Sequence, residues 1–244
     1  MTASKADIII QLKKNILTYQ GLKPSRDDTM VNVRLGPINS AFPNLSFPLG
    51  AIHEFVYDKT EDVAATGGFM ATLLASLMNT HRACIWISSS RLIFPPALKY
   101  FDIAPDKIIF IDLPKENQKL WAMEEALKYD GLAAVIGEID ELSFTASRRL
   151  QLAVEQSRVT GFVIRRHSNS LHTTASVARW KITCLPSEPG DIPGVGFPRW
   201  NVELLKVRNG KPGQWQVEYA DDRLWPITKI ATIPITPKHQ KNTG

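Results

Sequence analysis

Between residues 50 and 165, short apolar runs alternate with longer segments whose apolar residues recur at helical spacing. The runs predict five strands, at 51–56, 83–88, 107–112, 132–137 and 159–165. A helical segment is predicted between each pair of strands, at 62–79, 95–101, 115–128 and 145–158. Because the strands are apolar on both faces, the pattern indicates a buried parallel sheet flanked by helices.

The pattern changes after residue 165, where helical spacing stops. A further strand is predicted over 175–184, and strands over 200–208 and 214–219 flank the turn sequence Asn209-Gly210-Lys211-Pro212-Gly213. The alternation slips at Leu204–Leu205, which predicts a β-bulge. The predicted fold class is therefore α/β, with a mainly parallel core followed by antiparallel strands and a β-hairpin.

The two ends of the chain differ from this core. Residues 5–20 predict one amphipathic helix, with a stripe formed by Ile8, Ile9, Leu12, Ile16 and Tyr19. Four prolines within 21–48 indicate a linker. We expect the following organisation: an N-terminal helix over 1–22, a linker over 23–48, the main domain over 49–235 and a flexible tail over 236–244.

Composition narrows the class of protein. Hydrophobic residues make up 44% and charged residues 22%, which is typical of globular domains. No run of 18 apolar residues is present and the first residues lack a secretory pattern, so we expect a cytoplasmic protein without a membrane segment. Cys84 and Cys184 lie in apolar, strand-like runs and are interpreted as reduced thiols of the core.

Charge is unevenly distributed along the chain, whose net charge is +5. Residues 46–145 hold eight basic and fourteen acidic side chains, whereas residues 146–244 hold fifteen basic and seven acidic ones. A basic segment is able to meet nucleic-acid phosphates. A solvated surface with uneven charge explains the same distribution.

The loop after the first strand stands where a phosphate-binding loop belongs, and that motif requires Gly-x-x-x-x-Gly-Lys-Ser/Thr. The eight residues are Tyr57, Asp58, Lys59, Thr60, Glu61, Asp62, Val63 and Ala64. Tyr57 and Asp62 replace the two glycines, while Val63 and Ala64 replace the lysine and the Mg²⁺ ligand. This degenerate loop predicts no nucleotide cofactor and no catalysis.

No other catalytic or metal-binding pattern emerges from the sequence. The five histidines show no metal spacing with cysteine or aspartate, so we expect no metal site. Glu138 follows the fourth strand, where an NTPase carries a metal-binding carboxylate, and is interpreted as a surface side chain or one that fixes its loop.

Four stretches are distinctive: 49–55, 120–127, 142–152 and 198–215. The third contains Thr-Ala-Ser-Arg-Arg-Leu-Gln-Leu, and the fourth joins Arg-Trp to Glu-Leu-Leu and Gly-Lys-Pro-Gly. In these stretches the chain resembles the ImuA family of bacterial proteins. The resemblance implies a RecA-like core with a decayed ATP site, distantly related to SulA. It also implies a non-catalytic accessory role in SOS-induced, error-prone translesion synthesis after DNA damage.

The resemblance implies partners as well: an ImuB-like protein and an error-prone C-family polymerase, with RecA as a further candidate. Two alternatives stay open, a SulA-like inhibitor of cell division and an ATPase with an unorthodox loop. The predicted N-terminal helix is expected either to mediate self-association or partner contact, or to pack on its own core.

The resemblance to RecA places DNA-facing loops at 138–146 and 166–174, and the first of these is acidic. Basic residues flank both loops, and the candidates for weak contact with single-stranded DNA are Arg148, Arg149, Arg165, Arg166, Arg179 and Lys181. Salt bridges to the acidic loop explain Arg148 and Arg149 equally well. Trp180 and Trp200 are candidates for base stacking, although their alternation with polar neighbours favours burial.

Overall fold

A computed structural model describes residues 33–78, 82–90, 93–166, 172–188 and 196–227. The structural statements below concern those residues. The predicted N-terminal helix over 1–22, the first part of the predicted linker and the tail over 236–244 lie outside them.

The described chain forms a mixed α/β sheet with flanking helices. The strands are β1 Ile52–Tyr57, β2 Cys84–Ser88, β3 Ile108–Asp112, β4 Ala134–Glu138, β5 Thr160–Arg166, β6 Ala178–Leu185, β7 Arg199–Val207, β8 Gly213–Ala220 and β9 Arg223–Pro226. The α-helices are α1 Thr60–Met78, α2 Glu116–Leu127 and α3 Phe144–Ser157. The 3-10 helices are Gly36–Ala41, Pro43–Leu45, Pro95–Phe101 and Pro105–Lys107.

The strands share one sheet in the order β3-β2-β4-β5-β1-β6-β7-β8-β9. The first six strands of this order are parallel to one another. The pairs β6–β7, β7–β8 and β8–β9 are antiparallel. The five predicted parallel strands are confirmed. The parallel part is wider than predicted, because β6 lies beside β1 in parallel and not after the core as an antiparallel strand.

Apolar side chains fill both faces of the sheet. One core lies beneath α1 and the 3-10 helix Pro95–Phe101, and it buries Trp180 and Trp200. The other core lies beneath α2 and α3. The preference for burial of the two tryptophans over base stacking is thereby confirmed. None of the described helices is long and apolar enough to cross a membrane.

The described part of the predicted linker, residues 33–48, packs against this domain. Leu35 and Ile38 are fully buried, and the backbone N–H of Lys211 donates to the carbonyl of Ala41 at 2.8 Å. Gly36 has a φ of +56°, and a Cβ there would lie 2.4 Å from the backbone oxygen of Leu224. The linker interpretation is wrong here, since prolines fix φ and begin compact 3-10 turns.

The β7–β8 hairpin and its bulge are confirmed. Trp180 of β6 pairs with Leu204, and Arg179 pairs with Lys206, so Leu205 is the extra residue of β7. Asn209 adopts a φ of 59°, which the turn requires. Both thiols are free and Cys84 is buried, as the sequence indicated. The expectation of a core thiol is wrong for Cys184, which is exposed near the end of β6.

Candidate functional site

The turn between β1 and α1 consists of two residues, Asp58 and Lys59. The backbone N–H of Lys59 donates to Asp62 Oδ2 at 3.3 Å, so the carboxylate of Asp62 closes the turn from inside the helix. Glu61 also lies in the first turn of α1, where an acidic side chain interacts favourably with the helix dipole. The chain's own carboxylates therefore occupy the helix end at which a phosphate would bind.

Lys181 of β6 forms a salt bridge with this turn. Its Nζ lies 2.6 Å from Asp58 Oδ2, and the hydrogen bond to Asp58 raises the pKa of Lys181. Lys181 therefore neutralises Asp58, which reduces its availability to a DNA phosphate.

Glu138, at the end of β4, is buried and accepts a hydrogen bond of 2.8 Å from Trp86 Nε1. The interpretation of Glu138 as a surface side chain is wrong, because its carboxylate is buried and accepts from the buried indole of the neighbouring strand. Among the described residues no cluster of His, Cys, Asp and Glu is arranged to hold a metal ion.

A buried ion cluster lies on β1. Glu54 is completely buried, and its Oε2 accepts from Arg179 Nε at 2.9 Å, from Thr174 at 2.8 Å and from Ser176 at 3.1 Å. Its Oε1 lies 3.3 Å from Arg165 Nη1. Both arginines are buried here, so the structure removes Arg165 and Arg179 from the candidates for contact with DNA.

Strand order explains this cluster. β1 lies between β5 and β6, and the register places Arg179 directly beside Glu54. A buried carboxylate needs both a counter-charge and hydrogen bonds. Glu54, a charged residue inside an apolar strand, was the available sequence signal for a buried ion cluster. Its partners could not be identified, because the sequence does not show which strands are neighbours.

Further basic side chains fix the loop that precedes β6. Arg179 Nη2 donates to the carbonyl of His172 at 2.8 Å, Lys206 Nζ to that of Thr174 at 2.7 Å, and Arg208 Nη2 to that of Ala175 at 3.2 Å. Three of the basic side chains in residues 146–244 therefore stabilise this loop by donating to its backbone carbonyls.

The outer surface of α2 and α3, which we call the α2–α3 face, carries exposed apolar side chains. Trp121 is 63% exposed and Phe144 56%, and Leu152 follows Phe144 by two helical turns. A shallow cavity of about 150 Å³ lies between the helices and is lined by Trp121, Glu124 and other residues. An exposed tryptophan beside an arginine, as at Trp121 and Arg149 in this cavity, is typical of protein interaction surfaces.

The apolar residues of the predicted helix over 115–128 favour burial of Leu120, Trp121, Met123 and Leu127. For Trp121 this prediction is wrong. The fully buried positions of α2 are Lys119, Met123 and Leu127, which recur every four residues, so Trp121 falls on another side. The spacing of Met123 and Leu127, which lie one helical turn apart, was the sequence signal that places Trp121 on a different side of the helix.

Arg148 and Arg149 also lie on this face, and both have acidic partners. Arg149 pairs with Glu124 of α2, and Arg148 Nη1 lies 3.8 Å from Glu155 Oε1. Both arginines therefore form salt bridges, but the predicted partners in the acidic loop are wrong, because the carboxylates that they contact lie on α2 and α3. Arg166 is exposed at the end of β5, in register with Tyr57. The exposed DNA candidates are therefore Arg148, Arg149 and Arg166.

Comparison with solved structures identifies the fold class of the chain. The crystal structure of the RadB recombinase matches with a TM-score of 0.57 at 11% sequence identity, covering 82% of this chain and 100% of that one. Together with the mainly parallel sheet and its flanking helices, this match shows a RecA-like fold.

No family model matches the chain. Curated relatives are Protein ImuA of Caulobacter vibrioides strain NA1000 / CB15N and Protein ImuA of strain ATCC 19089 / CIP 103742 / CB 15. Each is 34% identical over 191 residues, which cover 73% of this chain and 78% of the relative. The chain belongs to the ImuA family, which confirms the resemblance found in the sequence.

Proposed function

We propose that this protein is a non-catalytic accessory factor of SOS-induced, error-prone translesion DNA synthesis. It acts as an adaptor that joins an ImuB-like protein to a C-family polymerase. The observation that carries this proposal is membership of the ImuA family at 34% identity over most of both chains. The RecA-like fold is compatible with it.

The β1–α1 turn supports the non-catalytic part of the proposal. It offers two residues where a phosphate-binding loop needs a longer glycine-rich arc, and Glu61 and Asp62 place carboxylates at the helix end. Like charges at this distance repel a triphosphate. The turn is therefore an unfavourable place for ATP.

We expect calorimetric titration with ATP and Mg²⁺ to show no binding. Val63→Lys should not restore it, because the amide cradle and the Mg²⁺ ligand remain absent. Micromolar affinity of the unaltered chain would instead support the alternative of an ATPase with an unorthodox loop.

The α2–α3 face supports the adaptor part. Its exposed Trp121 lines the same cavity as Arg149, and tryptophan and arginine are enriched among the residues that dominate binding energy. In this proposal the face binds the ImuB-like protein.

Co-purification with the ImuB-like protein encoded in the same genome tests both parts. Trp121→Ala should weaken binding at least tenfold, since removing a central interface tryptophan costs about 2 kcal/mol or more. The matched control is Trp225→Ala on β9, where the side chain is 48% exposed, and it should bind normally. Equal binding of both variants would exclude the face while leaving the adaptor role intact.

The same assay separates the alternative function. Binding to a tubulin-like division protein, with no binding to the ImuB-like protein, would overturn the adaptor role and support a SulA-like inhibitor.

A further inference from the structure

An apolar groove runs along α1, on the side of the sheet opposite the α2–α3 face. We call it the α1 groove, and its volume is about 390 Å³. It lies between α1, the 3-10 helix Pro95–Phe101 and the start of β7, and its lining is almost wholly apolar. Phe94 at the groove is 70% exposed.

The groove exists because the residues that form its floor have no large side chains. Ala64, Gly67 and Ala71 recur at the spacing of one helix face and are too small to fill the space above α1. At Gly68 the ring of Trp200 already covers the helix, and a Cβ there would lie 2.8 Å from it. A Cβ at Gly67 would meet only Ile93 Cδ1, at 3.9 Å. An apolar cavity of this size is large enough to receive several side chains of a ligand.

The described chain begins beside this groove. Arg34 lines a neighbouring pocket with Thr72 and Ala75, one turn along α1 from Ala71. Phe101 lines both the pocket and the groove. The twelve residues 21–32 span up to about 40 Å when extended, whereas the groove extends about 12 Å from Val63 to Ala71. The predicted helix over 5–20 is therefore within reach.

That segment is long enough to cover the groove, and its apolar stripe complements the apolar lining. From Ile8 to Tyr19 its apolar stripe measures about 16 Å as a helix. A stripe of this kind needs an apolar partner, because a 16-residue helix is marginal in water by itself.

Charge also matches. The predicted helix carries Lys13 and Lys14, while Glu61 lies at one end of α1 and Asp102 and Asp222 line the pocket beside Arg34. Opposite charges at the two rims favour a basic amphipathic segment over an acidic one.

We propose that the α1 groove is the docking site of residues 5–20 of the same chain. The short tether gives the segment an effective concentration in the millimolar range, so modest contact suffices to keep it in place. The inference does not depend on the adaptor role, because it concerns contacts within one chain.

Cys184 provides a built-in reporter, since it lines the groove while Cys84 is buried. Its reaction with a thiol reagent should be slow in the full-length protein. Leu12→Glu places a charge in the apolar stripe and should accelerate the reaction at least tenfold. Thr18→Glu adds the same charge off the stripe and should leave the rate unchanged.

Gly67→Leu is a second test, because it fills the groove floor where the structure has space. It should displace the segment, which limited proteolysis detects as faster cleavage within residues 1–32. Far-ultraviolet circular dichroism checks that the variant folds.

Three results would overturn the proposal. The first is equal Cys184 reactivity in the full-length protein and in Leu12→Glu. The second is protection that disappears on dilution, which would assign the groove to the segment of a second copy. The third is protection that appears only when the ImuB-like protein is added.

Discussion

His53 is fully buried and is held in its neutral form. Its Nε2 lies 2.7 Å from the carbonyl oxygen of Pro48, to which it donates, and its Nδ1 accepts from Trp180 Nε1 at 3.4 Å. The ring also stacks on Phe47 at 4.3 Å. Burial lowers the pKa of His53 from 6.5 to about 4, although the hydrogen bond to Pro48 opposes this shift.

This buried histidine predicts a loss of stability in mild acid. Between pH 6.5 and pH 4 the unfolded chain gains a proton that the folded chain does not, so the free energy of unfolding falls as the pH falls. The fall from pH 7 to pH 5 due to His53 is about 2 kcal/mol. Urea unfolding should show it in the unaltered protein and in the exposed control His172→Gln. His53→Gln should lack it, and a slope unchanged in that variant would contradict the prediction.

Arg165 and Arg166 are adjacent in sequence but differ in environment. Arg165 is 3% exposed and pairs with buried Glu54, whereas Arg166 is exposed. Arg165→Ala should lower the free energy of unfolding by about 3–5 kcal/mol, because it leaves a buried charge without part of its counter-charge. Arg166→Ala should change it by less than about 0.5 kcal/mol. Similar unfolding midpoints for the two variants would refute this assignment.

Among the elements, α3 offers a test of helix capping. Ser143 and Thr145 both precede or begin the apolar period of this helix, and serine and threonine are both favoured N-caps. In the structure Ser143 Oγ accepts from the N–H of Ala146 at 3.1 Å. Ser143→Ala should destabilise the protein by about 1 kcal/mol, while Thr145→Ala should be close to neutral. Thermal unfolding of both variants measures the difference, and a larger effect at Thr145 would show that the cap is wrongly assigned.

Elements with a strong hydrophobic period were predictable from the sequence. β1 to β5 are short apolar runs, and α1, α2 and α3 follow helical spacing, so each was placed within a few residues. The 3-10 helices at 36–41 and 43–45 were missed, because proline-rich sequence is shared by linkers and by packed turns. Turn propensity does not indicate whether a proline-rich segment is buried. Leu35 and Ile38 are buried only because the folded chain brings other elements into contact with them.

At the scale of the whole molecule, the candidate site was only partly predictable. The unusual residues of the β1–α1 turn could be identified by their spacing alone. The Glu54 cluster could not, since it joins β1, β5 and β6 and depends on the order of the strands. The exposure of Arg148, Arg149 and Arg166 likewise depends on packing, so charge alone could not separate surface arginines from buried ones.

These three exposed arginines define the remaining prediction about DNA. The buried arginines and the paired Lys181 contribute little, and Arg149 has Glu124 as a partner, so binding to single-stranded DNA should be weak. Phosphate contacts release counterions, so the affinity should fall as salt rises. Arg148→Glu combined with Arg166→Glu should reduce the salt dependence by about 1.4 in log–log slope, about 0.7 for each lost contact.

The matched control is Lys99→Glu combined with Lys107→Glu, which changes the net charge equally at exposed positions elsewhere on the domain. All four side chains are exposed, so both double variants should fold as the unaltered protein does. Fluorescence anisotropy with a labelled oligonucleotide, measured across a salt series, reports affinity and slope together. If the two double variants weaken binding equally, net charge and not a site carries the interaction. An affinity that does not change with salt would rule out phosphate contact at these arginines.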